Sequence, residues 1–483
     1  MSVGAAYSVV VQPNGKIVVA GWGQRGAQDV FGLARYTRGG SLDKRFGLRG
    51  KVTLPIGRGS QAIAAALQPD GKLVAAGYEG GELASSFKVA LARYTARGRL
   101  DGSFGKKGRV TTKFGSVGSI ANDVIVQPDG KIVAAGGTLD ANGSFALARY
   151  TPSGKLDPTF GSGGRVQTVV GPSAFASALA LQPDGKIVVV GTWGEQFGVV
   201  RYTTDGSLDS SFGTDGVVST PFPGSAEAYA IALQDDGKIV VAGAKGTGPA
   251  GAPGYEFALA RYNSDGSLDN SFGSGGLVTT SFFSGSADLP YGGVANAVAI
   301  QTDGKIVAGG GQLIPYPGRG NFALARYNPD GSLDSGFGDG GKVTTSFGYS
   351  PPENPTEDGD VIDGLALQPD GKIVAAGYSQ FGPHTEQYKV AVARYGSDGS
   401  LDPGFGSGGK VSTSLAVCVV PKLTGRKMDW FAQQYIKGAH CAVGKNTRVH
   451  SHFKRRRIIS ERPRPGTVHV EGTKVRIFVS LGR

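Results

Sequence analysis

The chain has 483 residues, 81 of them glycine, with 40% hydrophobic and 9% aromatic residues; it is too apolar for a disordered polymer and dense in turn formers. No apolar run comes near the roughly 18 residues that cross a bilayer as a helix, which sets a helical membrane span aside. The net charge of +12 sits in one place: from Ala416 onward there are 15 Lys and Arg against 3 Asp and Glu, while the preceding residues balance at 35 against 35.

Up to about Leu415 the chain is one unit written seven times. In the copy from Ala121 to Thr168, Asp123-Val-Ile-Val alternates as a strand into Pro128-Asp129-Gly130, whose Asp-Gly suits a tight hairpin turn. Lys131-Ile-Val-Ala-Ala reads as a second strand, Phe145 to Tyr150 as a third and Gly164 to Thr168 as a fourth. The opening glutamine recurs at Gln12, Gln68, Gln127, Gln182, Gln234, Gln301 and Gln368, and the phenylalanine of the last turn closes each copy from Phe46 to Phe405. No part of a unit carries a helical apolar period. Four short antiparallel strands cannot bury their faces alone, so the expectation is mainly β: a seven-bladed β-propeller of four-stranded blades over residues 1–415.

The motifs QPDGKI, ALARY and SLDxxFG, in that order in nearly every copy, resemble the bacterial delta-sixty repeat family. Departures are mild: Asn14, Asp235 and Thr302 in the first turns, and Val199-Val200 in a third strand. The resemblance implies a propeller and no chemistry.

If the strands run outward in order, the first and third turns of every unit share one face and the remaining loops share the other. The first set is nearly constant, whereas the second lengthens in units five to seven, at 244–256, 282–293, 309–321, 347–360 and 378–388. Trp22, Trp193, Tyr255, Tyr291, Tyr316, Tyr349, Tyr378, Phe381 and His384 fall there, making this the candidate recognition face. The alternative is tolerated insertion over the disc. Arg149 and its six equivalents sit among apolar strand residues, each with an aspartate eight positions on, and are expected to form a repeated structural ion pair. Turns such as Asp205 to Asp209 lack the oxygen density of a calcium loop, so neither metal nor cofactor is expected.

The tail, 416–483, drops the glycine-turn grammar. Val417 to Val420 reads as a strand, Arg426 to Ile436 has helical spacing, Ala442-Val443 opens a strand and Val475 to Val479 forms a last one. Val420-Pro421-Lys-Leu423-x-Gly425, Ala439-His-Cys441-x-Val443-Gly444, Pro463-Arg-Pro465-Gly466 and Gly472-Thr473-Lys-Val475 together resemble a PASTA domain, with Trp430, Phe431 and Tyr435 departing from its helix pattern. That resemblance implies a small α+β domain, a cell-wall polymer such as peptidoglycan or another anionic glycan as partner, and Cys418 close enough to Cys441 to bridge. The other reading of the cysteines is two buried thiols. A disulfide argues for an oxidising, extracytoplasmic place, although Met1 to Tyr7 lacks the basic start of a signal peptide. The run Lys454-Arg455-Arg456-Arg457, beside His450 and His452, could hold an anionic polymer or be a solvated loop. Nucleic acid is set aside because aromatic interleaving is missing.

Catalytic sets are absent from the pattern, since the repeats hold no cysteine and only His384. The expectation is a non-enzymatic extracytoplasmic binding protein, with a protein partner as a further option. The alternatives are a propeller glycan hydrolase or lyase using loop carboxylates, and a purely structural surface protein.

Overall fold

The computed structural model describes residues 4–81, 83–140, 142–247, 254–282, 292–312, 320–348, 359–380, 388–424, 426, 430–449 and 457–480. Tyr291, Tyr316, Tyr349, Phe381, His384 and Lys454 to Arg456 lie outside them. Blade 1 is built from β1 (Gly4–Val11), β2 (Ile17–Arg25), β3 (Gln28–Tyr36) and β4 (Lys51–Leu54), paired antiparallel in chain order. Six further four-stranded antiparallel sheets follow at 59–112, 119–168, 175–220, 226–280, 293–345 and 361–413. Every blade therefore takes all four strands from one continuous stretch.

The first strand of each blade packs against the first strands of both neighbours, so these seven strands are innermost and line the central channel. The expected turn appears where the sequence puts it: in blade 3 the Gly130 N–H donates to Gln127 O at 2.9 Å, and Gly130 takes φ 81°, which disfavours a side chain. Between blades the core is apolar, and its largest fully buried side chains are Tyr36 and its equivalents in all seven copies. Five of these tyrosines donate their hydroxyls to a threonine of the preceding blade, as Tyr150 does to Thr112 at 2.7 Å.

The expected ion pair is present in every blade and does more than neutralise a charge. Arg149 Nε donates to Asp157 Oδ2 at 2.8 Å, its guanidinium lies 4.4 Å over the Phe160 ring, and Nη1 donates to the Thr204 carbonyl of the next blade. Lys131 of the first turn completes the group, 3.2 Å from Asp157. The seventh copy closes the ring, since Arg394 Nη1 donates to Arg38 O of blade 1 and Gly406 N to Gly39 O.

The chain then crosses blade 1. Leu415 is fully buried in a hollow left by Gly4, Gly23 and Gly32, where added Cβ atoms would lie 2.7 to 2.9 Å from its side chain. Val417–Val419 pairs with the end of β2 at Arg25 and with Val468–Val470, so blade 1 becomes a six-stranded sheet with two tail strands. The change of composition at 415/416 is thus bridged by hydrogen bonding. The rest of the tail is α1 (Trp430–Gly438) against a three-stranded sheet in the order Ala442–Val449, Lys474–Ser480, Ile458–Arg462. Of the expected helix over Arg426 to Ile436, the described part runs from Trp430, and the strands Ile458–Arg462 and Val468–Val470 go beyond the sequence expectation. Cys418 and Cys441 are joined, 4.8 Å apart at Cα, inside a core with Val420, Leu423, Ile436, Val475 and Ile477.

Candidate binding funnel

One irregularity recurs in all seven innermost strands. Each pairs with its second strand through a β-bulge, and the bulged residues are Tyr7, Ile63, Asn122, Ser177, Tyr229, Asn296 and Asp363. An added Cβ on Gly136 would lie 2.1 Å from the Ile120 carbonyl beside the bulge, so glycine is required opposite it. The seven bulged residues are all half-buried although their neighbours on the core side are buried, and they form a ring around the channel. Because the first strands enter from the variable-loop face, this ring lies in the half of the channel nearer that face.

The ring departs from sevenfold symmetry in two ways. At the sixth position of the second strands, blades 7, 1 and 2 carry Tyr378, Trp22 and Tyr78, where the other four have Gly137, Thr192, Ala244 and Gly311. Tyr7 stands in the midst of this arc, with the Trp22 side chain, Asp363, Tyr78 and Asp29 all near enough to perturb its phenol. Burial pushes the Tyr7 phenol up, and Asp363 adds to the effect. Tyr78 stacks on Phe87 with ring centres 4.8 Å apart, and Tyr378 meets Tyr388 edge-on at 5.3 Å. Across the ring, Tyr229 donates to Glu227, with Tyr255 close enough to perturb it.

The second departure is carboxylate. Asn122 and Asn296 donate to the carbonyls of Ala176 and Ile362 on the neighbouring first strands, at 2.8 and 3.0 Å. Asp363 occupies the same bulge position in blade 7. Its Oδ1 lies 3.4 Å from Asn296 Nδ2, and its Oδ2 is buried with no hydrogen-bond partner. Burial raises its carboxyl well above the usual range. Asp123, one position beyond the bulge in blade 3, accepts from the backbone of Val124 and Leu179; burial still pushes it up to about 6, because those two bonds only partly offset desolvation.

Of the loop-face residues chosen from sequence, Trp22 is brought into the arc with Tyr7 and Tyr78, and Tyr255 is brought beside Tyr229. Trp193 packs elsewhere: its indole lies over Gly171 of the preceding loop, where an added Cβ would be 1.7 Å from Nε1. Trp22, Trp193, Tyr255 and Tyr378 stand at strand positions, not on the loops expected for them; sequence reasoning missed Tyr7, Tyr78, Asp123 and Asp363, which are also on strands. Comparing the copies position by position would have exposed them. In the tail, Arg457 is half-buried at the end of the basic run. Among the described residues no group of three or more His, Cys, Asp and Glu could hold a metal, and no helix is long and apolar enough to cross a membrane.

Comparison with known proteins finds no match among curated sequences. Among solved structures the chain is similar to a protein from Lactobacillus plantarum (14% identity, TM-score 0.49, covering 83% of this chain and 97% of that one). It is also similar to Sqt1 from Chaetomium thermophilum (13%, 0.44, 85% and 87%) and to the polysaccharide lyase Uly1 (10%, 0.42, 81% and 90%). A family model described as "Domain of unknown function (DUF5122) beta-propeller" matches residues 12–46, 68–104, 127–160, 182–212, 234–272, 301–337 and 368–405. Those segments run from the turn glutamine to the last-turn phenylalanine of each copy and cover just over half of the residues, so the chain belongs to the DUF5122 β-propeller family.

Proposed function

We propose that this is a non-enzymatic binding protein that works outside the cytoplasm, taking a ligand at the aromatic arc of the funnel and associating with cell-wall peptidoglycan through its PASTA-like tail. The observation that carries the first part is the broken symmetry. Residues that hold a repeat fold together are alike in every copy, as Arg149 and Tyr150 are, whereas Tyr7, Trp22, Tyr78 and Tyr378 crowd into three adjacent blades. Half-buried aromatics at the mouth of a rigid concave ring offer a preformed platform for a ligand with a flat apolar face. The bridged cysteines support an oxidising location, and the tail's excess of 15 cations over 3 anions supports an anionic wall polymer as partner.

Two experiments test the reading. In low salt the full chain should co-sediment with purified sacculi and be released as salt rises; absence of retention counts against the wall association. On a glycan and peptide array, the Trp22→Ala, Tyr78→Ala double variant should lose the signals of the unmodified protein; unchanged signals would remove the arc from the binding site.

A second reading, a glycan hydrolase or lyase, is favoured by Asp363, a buried carboxyl with an oxygen that has no hydrogen-bond partner among the described residues, near the Tyr7 phenol. It requires that incubation with acidic polysaccharides release new chain ends and that Asp363→Asn abolish the release.

A further inference from the structure

The tail meets the ring where β2 and β3 turn on the variable-loop side of blade 1. His440 Nε2 lies 3.0 Å from Gln24 Oε1 there, and Val417 pairs with Arg25. Just beyond this contact, the β2–β3 hairpin and α1 enclose a groove of about 510 Å³, lined by Gly26 and Ala27 of the ring and by Pro421, Gln434, Tyr435 and Gly438 of the tail. Its surface combines an apolar floor with a few polar groups, as small-molecule sites do. Tyr435 is 51% exposed, the most exposed aromatic among the described large hydrophobics, and the Arg426 guanidinium stacks on it at 4.5 Å. The half-buried Gln434 stands one residue before it.

The described charges on the tail side of the groove are positive. Lys422 follows Pro421 and Lys437 precedes Gly438; both are exposed and neither is in a salt bridge among the described residues. The described carboxylates of the tail are engaged elsewhere. Glu461 is buried, accepting from the Leu423 N–H and the Thr424 hydroxyl, and Glu471 faces His440 at 4.0 Å. Arg426 on Tyr435, and Lys422 and Lys437 next in sequence to lining residues, flank a groove whose lining holds no carboxylate, a setting that favours an anionic ligand.

Resting on the wall-binding reading above, we infer that this groove holds a segment of an acidic polysaccharide, a sugar ring lying against Tyr435 with its acid groups among Lys422, Arg426 and Lys437. A pyranose has an apolar face for the tyrosine and hydroxyls for the Gln434 amide. A single-stranded nucleic acid would call for successive aromatic platforms, and among the described residues the groove has one. The walls come from both ring and tail, so neither part forms the site alone.

The groove can be blocked from either wall without disturbing the core. An added Cβ at Gly438 meets nothing within 4 Å, and Ala27 is exposed. Full-length Gly438→Trp, Ala27→Trp and Tyr435→Ala should each weaken retention on purified peptidoglycan sacculi at least about tenfold while leaving the denaturation midpoint in place. An uncharged chitin oligosaccharide should bind none of the proteins. If the unmodified protein is retained and both tryptophan variants are retained equally, the groove is not the site, though the wall association stands. Equal binding of the uncharged oligosaccharide refutes the demand for acid groups. Failure of the unmodified protein to bind sacculi overturns the wall reading and this inference together.

Discussion

Arg149 joins four groups: its own Asp157, the Phe160 ring, the Thr159 hydroxyl and the Thr204 carbonyl of the next blade. Removing one partner of a buried ion pair costs about 3 to 5 kcal/mol; because Lys131 and Thr159 stay on Asp157, Arg149→Ala should fall at the lower end, about 3 kcal/mol, read from the shift of the denaturant midpoint. Arg149→Lys keeps the charge but loses the planar stack and should fall between the two. Burial acts to raise the Asp157 carboxyl, but hydrogen bonds from Thr159 and Lys131 and the charge of Arg149 outweigh it and hold the group down to about 2. Its contribution is therefore complete above about pH 4, the unfolded value, and disappears as pH falls towards 2. Asp363 has the opposite sign. Its folded value is raised, so its contribution is fullest below about pH 4 and is lost as pH rises through the folded value. Asp363→Asn carries no charge to bury, so its denaturant midpoint should exceed that of the unmodified protein at about pH 8 and converge with it near about pH 4. A constant difference across that range would show that Asp363 is not the titrating group.

At the scale of strands and helices, the sequence disclosed most of the ring, because the physical signals are local and repeated seven times. Alternation, the Asp-Gly turn and the Leu-Asp-x-x-Phe-Gly corner each act within a few residues. The bulges were not legible. Asn122 and Asp123 read as an ordinary alternation, and only the pairing with Ala135 and Gly136 reveals the extra residue. For that reason the funnel residues Tyr7 and Asp363 stayed hidden among alternating strand positions, while aromatics near the ends of the second and third strands, such as Trp22 and Tyr255, stood out. The two unexpected tail strands have a different cause. Val468–Val470 pairs with Val417–Val419 some fifty positions away, and Ile458–Arg462 has apolar residues only at its start, so neither carries a usable local period. The disulfide ties together the two segments flanking α1, closing a separation of 23 residues, and such a link is worth about 2 to 4 kcal/mol. The Cys418→Ser, Cys441→Ser double variant should exchange amide hydrogens faster across 430–480 while blades 4 to 6 keep their protection. Equal protection throughout would show that the tail is held by its contacts with blade 1 alone.

On the scale of the whole molecule, the ring has seven junctions but only six are spanned by the ordinary linker from one blade to the next. At the seventh, blade 7 meets blade 1 through the first-strand contact, the Arg394 to Arg38 hydrogen bond and the Gly406 to Gly39 hydrogen bond. There the chain from blade 7 runs over blade 1 instead, seating Leu415 among three glycines and adding Val417–Val419 to β2. The tail is then a clasp, and the clasp and Arg394 should be energetically coupled because they hold the same seam. A chain ended at Ser414 provides the test, in a cycle with two arginine variants. Arg149→Ala, at a junction the tail never touches, should cost the same in the full and shortened chains. Arg394→Ala should cost more in the shortened chain, by roughly 1 to 2 kcal/mol, with faster unfolding as the seam opens first. If both substitutions cost the same in both backgrounds, the ring is held shut by its blades alone, and the crossing at Leu415 only tethers the tail.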